Sequence, residues 1–149
     1  MKIFVHNRQR KIVLERNELE RFAERALELC LCEQSRGPGL TSLEEVNIFF
    51  ISDRKMSELH RRFLGIDGPT DVITFQHGEI FISVETAWRQ ARKHRTSLEY
   101  ELRLYLVHGL LHLHGFDDHA SAGFRRMHHV QEKIVALASR RSTRAFSSD

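Results

Sequence analysis

The chain is poor in residues that staple or anchor a fold: among 149 residues there are two cysteines, two prolines and one tryptophan. Cys30 and Cys32 stand two apart in a helical pattern, so they leave different faces and cannot clamp one ion. That leaves reduced, structural thiols, as expected of a cytoplasmic chain. No apolar run approaches the roughly 20 residues a membrane helix needs; the longest are pieces such as "LYLV" and "IFF". The N-terminal "MKIFVHNRQRK" turns polar too soon for a secretory signal. Repeats, low-complexity tracts and linkers are also missing. A single domain over 1–140 is expected, with 141–149 a flexible tail.

Charge of one sign is scarce too, the net being only +3 from 23 Lys and Arg against 20 Asp and Glu. The distribution carries more information than the sum. Cations gather in "RQARKHR" at 89–95 and again from Arg125 to Arg144. Two readings stand: solvated helix faces, or a surface that meets RNA phosphates.

What the chain does have is clear periodicity. "KIFVH" and the apolar, β-branched "VNIFFIS" at 46–52 read as strands. "VITF" at 72–75 and "EIFIS" at 79–83 form either a hairpin or two adjacent edge strands. Asn17 with Glu20 three residues on resembles a capping box, opening a helix buried through Leu19, Phe22, Ala23, Ala26, Leu27 and Cys30. Ser52 or Asp53 caps a helix with the stripe Met56, Leu59 and Phe63; Ser83 and Ser97 open two more. A last helix over about 121–139 turns Phe124, Met127, Val130, Ile134 and Leu137 inward. The fold class is therefore α/β (α+β): a small mixed four-stranded sheet packed with about five helices.

The helix from 98 to 114 is apolar on most sides, which places it in the middle of the domain. It ends in "HGLLHLHGFDDH" (108–119). His108 and His112 are one turn apart, so both imidazoles leave one face and can reach a single Zn²⁺. Gly115 ends the helix and swings the following residues back over the pair. His114 faces elsewhere. An isolated HxxxH pair means little; a buried helix, a glycine stop and Asp-Asp-His together mean more. Three protein ligands leave a fourth position for water, the arrangement of catalytic zinc, and hydrolysis is the natural reaction class. A metalloprotease would carry Glu after the first histidine, where this chain has Gly109.

"PTDVITF" (69–75), "GEIFIS" (78–83) and "HGLLHLHGFDDH", in that order and spacing, resemble the bacterial YbeY family of rRNA maturation factors. The resemblance spans roughly residues 2–135. It implies an α/β fold with one zinc ion and single-strand-specific cleavage of RNA. It further implies work on the small ribosomal subunit, in maturing the 16S rRNA 3′ end and in ribosome quality control. The family's third histidine falls on Asp118, with His119 one residue late. Asp118 is preferred as third ligand because it needs no insertion, with His119 the alternative. Where the family carries an arginine before its G-x-D turn, this chain has Leu64. Arg61 and Arg62, one turn earlier, and Arg92, Lys93 and Arg95 are the basic residues left as RNA contacts. Asp71 and Glu79 are candidate proton acceptors, against the plainer roles of turn cap and solvent-facing strand residue; Thr70 is equally open. A non-catalytic, zinc-binding assembly factor that binds rRNA is the competing function.

Overall fold

The computed structural model describes residues 1–140; the tail expected at 141–149 lies outside them. The elements run β1 (Lys2–Asn7), α1 (Arg16–Leu31), a 3₁₀ turn (Gly39–Ser42), β2 (Glu45–Ile51), α2 (Asp53–Leu64), β3 (Val72–Phe75), β4 (Glu79–Ser83), α3 (Val84–His94), α4 (Leu98–Leu113) and α5 (Ser121–Ala138). The sheet order is β1-β2-β4-β3. β1, β2 and β4 are mutually parallel, and β3 closes antiparallel on β4, pairing Val72 with Ile82 and Phe75 with Glu79. The 72–83 stretch is thus a hairpin with only β3 at the edge. This is the α/β architecture expected, with five helices and a mixed sheet.

Side chains alternate across a strand. Val46, Ile48 and Phe50 of β2, with Ile80 and Ile82 of β4, face the main core beside α1, α4 and α5. Phe49, Ile51 and Ile73 face the other way, against Met56 of α2, with Phe75 and Phe81 packed on them. The sheet therefore separates α2 from α4.

Helix α4 is the central strut. Leu106, Val107, Leu110 and Leu111 are fully buried. Each such side chain contributes about 1.5–3 kcal/mol through the water it leaves. Gly109 lets the helix sit down on the sheet, since a Cβ there would stand 2.7 Å from Ile80 Cγ2.

Several local expectations give way. Helix α1 starts at Arg16, and its cap position, Glu15, makes no side-chain cap bond. Glu20 instead accepts from the Val5 N–H and from Arg16, tying α1 to β1. Ser52 and Ser97 do cap, accepting from the amides of Lys55 and Tyr100. Ser83 makes no cap bond to α3 but donates to Asp53. Phe63, Phe124 and Leu137 were expected inward and are exposed; they lie in the last turn of α2 and the first and last turns of α5. Cys30 is buried, where desolvation raises its pKa; Cys32 is exposed and carries no packing role.

Candidate metal centre

The site begins with how α4 ends. Gly115 takes a left-handed φ of 95°. Its N–H donates to the His112 carbonyl at 3.1 Å, and the Phe116 N–H donates to the Leu111 carbonyl at 3.0 Å. That double bond pattern is a Schellman motif. It turns the Phe116 carbonyl back under His112, whose Nδ1 lies 3.1 Å away. A Cβ on residue 115 would stand 2.3 Å from the Arg36 carbonyl oxygen, so only glycine fits.

A carbonyl oxygen can only accept, so the His112 proton sits on Nδ1. His108 has the same arrangement, its Nδ1 facing the Gln131 amide oxygen at 2.7 Å. Both protons thus point outward, and both Nε2 lone pairs point inward, 3.0 Å from each other. Two lone pairs at that distance repel unless a cation lies against both. Two imidazoles on one tetrahedral ion, at bond lengths of about 2.0–2.1 Å, hold their nitrogens about 3.3 Å apart. The donor set fits such an ion. Ligand atoms of His108, His112 and Asp118 all lie within 4.8 Å of one another. Burial, then repulsion from His108, holds the His112 pKa below its ordinary value, so it stays neutral and able to donate a lone pair.

Asp118 joins that group, and His119 does not. The His119 amide donates instead to Asp117 Oδ1 at 3.2 Å, one bond of a tight turn. His114 is buried and fully engaged elsewhere. Its Nδ1 accepts from Leu40 N–H at 3.2 Å and its Nε2–H donates to the Glu33 carbonyl at 2.8 Å. It pins the 3₁₀ turn to the end of α1.

The remaining candidates are dispersed. Glu79 shares its sheet face with Phe81, away from α4, and its carboxylate accepts from His77 at 2.7 Å. Asp71 caps its own turn, accepting from the Val72 amide at 2.8 Å and from Thr70 at 3.4 Å. It is near enough to α4 to help raise the Tyr105 pKa, second to burial. Arg61 and Arg62 are exposed on α2, across the sheet from the histidines, with the Arg62 guanidinium over Phe63. Arg92, Lys93 and Arg95 stand exposed at the end of α3, next to the start of α4. At 1.5 Å per residue, His108 and His112 lie about 15 and 21 Å further along that helix.

Gln131 and Arg36 are not singled out by the sequence, and Arg126 only as part of the basic run from Arg125 to Arg144. Gln131 is buried on α5 and fixes the His108 tautomer. It sits four residues from Met127 on the inward stripe, and a polar residue at a core-phased position was the available signal. Arg36 and Arg126 flank a cavity of about 310 Å³ beside the Gly115–Asp117 turn, with Arg126 over the Phe116 ring at 4.6 Å.

The family model described as Endoribonuclease YbeY matches residues 4–139. The chain belongs to the YbeY family. Among its relatives, Endoribonuclease YbeY of Symbiobacterium thermophilum is 34% identical over 156 residues, covering 91% of this chain and 96% of the relative. Endoribonuclease YbeY of Moorella thermoacetica is 37% identical over 117 residues, covering 66% and 75%. The solution structure of TM1509 from Thermotoga maritima superposes with a TM-score of 0.67 at 28% identity, over 99% of this chain and 95% of that one. The family description and both curated relatives carry the name endoribonuclease. No helix among the described residues is long and apolar enough to cross a membrane.

Proposed function

We propose that this chain is a zinc-dependent, single-strand-specific endoribonuclease of the cytoplasm. Its place is on the small ribosomal subunit, in 16S rRNA 3′-end maturation and ribosome quality control. The observation that carries the reading is the convergence of two imidazole Nε2 atoms at 3.0 Å, each ring having its Nδ1 against an oxygen acceptor. Two imidazoles and a carboxylate suit zinc among the common divalent ions. His108, His112 and Asp118 would hold it. A bound zinc supplies Lewis acidity toward a phosphodiester oxygen and acidifies water at neutral pH.

The chain's own groups do the rest. Gln131 and the Phe116 carbonyl hold both imidazoles in the tautomer that donates through Nε2. Leu64 is an exposed apolar side chain and brings no charge to a phosphate. In this reading Arg36 and Arg126, on the cavity beside the turn, take that part. Exposed cations on α2 and α3 give salt-dependent, weakly sequence-selective contacts to more distant phosphates.

The test is cleavage of a single-stranded RNA by the purified protein beside its His112→Ala variant at matched folding. Cleavage that vanishes in the variant supports the reading; equal cleavage traces to a contaminant and ends it. A second reading, a zinc-bearing assembly factor that binds rRNA without cutting it, is favoured by Leu64 alone. Metal and RNA binding without His112-dependent cleavage would establish it.

A further inference from the structure

Helix α5 carries a stripe that leads away from the metal centre. Residues 124, 128 and 131 fall at i, i+4 and i+7, on one face. Gln131, at the inner end, holds His108. At the outer end Phe124 is 54% exposed, an uncommon setting for a phenylalanine beside a polar site. His128 stacks on it, with ring centroids 6.0 Å apart and planes within 14°. Glu132 stands 4.0 Å from His128 Nε2, and its other oxygen accepts from Tyr100 at 2.9 Å.

Phe124, Met127 and His128 form one wall of a small cavity whose other lining includes His108, Asp118 and Gln131. Its volume is about 60 Å³. That is room for a few waters, at roughly 10–15 Å³ of such space each, or for the oxygens of a phosphate. The exposed ring of Phe124 forms part of the cavity's rim and offers a flat apolar face. No other aromatic ring stacks on Phe124 among the described residues.

Resting on the RNA-cleaving reading above, we propose that Phe124, backed by His128, is the base-stacking subsite for a nucleotide next to the scissile phosphate. The phosphate lies toward His108 and Asp118 while the neighbouring base stacks on the phenyl ring. Only a base without a stacking neighbour can present that face, so the ring selects single strands. Every base has a π-face, so the subsite is sequence-tolerant. Arg125, next to Phe124 and exposed, stands ready for the flanking phosphate.

The experiment is single-turnover cleavage of a short RNA by the zinc-loaded full chain, titrated to give the half-saturating concentration and the limiting rate separately. Stacking on one aromatic side chain accounts for roughly a five- to hundredfold change in affinity. Phe124→Ala is expected to raise the half-saturating concentration by that factor, with the limiting rate changed far less, and Phe124→Trp to restore it. An abasic scan of the RNA should give wild-type protein one sensitive position beside the cut. Removing that base should add nothing to the loss in Phe124→Ala. Phe124→Leu, which keeps apolar volume without a π-face, stands in if the alanine variant fails to fold. Unchanged half-saturation in both variants, or additive losses at every abasic position, overturns the subsite and leaves the nuclease reading intact. Absence of His112-dependent cleavage in the wild type overturns both.

Discussion

His108 and Gln131 meet across the seam between α4 and α5, Nδ1 to amide oxygen at 2.7 Å. The contact decides which imidazole nitrogen carries the proton, and so which one offers a lone pair to the group formed with His112 and Asp118. Partners of this kind commonly set metal affinity by ten- to a hundredfold. Gln131→Leu, similar in volume and unable to accept, is therefore expected to weaken zinc binding by about that factor with little loss of fold. Gln131→Glu, a stronger acceptor, should bind at least as tightly as wild type. Competition against a chromophoric chelator reads both.

Asp53 begins α2 and joins it to β4 and α3. It accepts from Ser83, from Thr86 at 2.7 Å and from Arg89 at 2.6 Å. Burial pushes its pKa up, but these donors and the Arg89 charge together outweigh that and hold it below the usual value. A depressed folded-state pKa gives stability that is present above the unfolded value, near 4, and lost as pH falls through the folded one. Asp53→Asn should cost about 1–2 kcal/mol near pH 7. It should also flatten the acid limb of stability below pH 4, read as urea midpoints of the metal-free protein across pH.

Gly115 combines a positive φ with a backbone carbonyl where a Cβ would go. Gly115→Ala is expected to destabilise by about 2–4 kcal/mol, adding a steric clash to the strain of a left-handed alanine. The Schellman turn also sets the Phe116 carbonyl and Asp118, so zinc affinity should fall with it. Gly37→Ala, with a similar φ but open space, is the comparison: it carries the strain alone and should leave zinc affinity unchanged. Thermal melts and chelator competition separate the two effects.

The fold was legible where periodicity was strong. Helix α4, apolar on most sides, had to be central, and its histidines with it. The hairpin was legible as far as its strands, but its place was not: whether β4 pairs with β2 depends on long-range register. Phe63, Phe124 and Leu137 misled because helical phase does not say how far along a helix its packing partner reaches, and all three lie in a first or last turn. His108, His112 and Asp118 were readable because one helical turn and a glycine stop are local geometry. Gln131 was not, since its contact with His108 spans 23 residues and two helices. Glu79 and Asp71 illustrate the converse. Adjacency of motifs in sequence says nothing of which sheet face a side chain takes, and Glu79 takes the face away from α4.

The third ligand is the sharpest remaining test of that local geometry. Beyond Gly115 the chain has three donors in succession, Asp117, Asp118 and His119, and of these only Asp118 joins the histidine pair. Asp118 places an oxygen within 4.8 Å of both imidazole ligand atoms. The His119 amide is held by Asp117 Oδ1, in a turn that leaves His119 outside the ligand group. Asp118→Ala should therefore lose zinc by orders of magnitude, while His119→Ala should keep it within a few fold. Asp118→His should restore binding, since an imidazole from that position meets the same two lone pairs. Zinc retained by Asp118→Ala and lost from His119→Ala would mean that the turn re-forms one residue later when the metal binds.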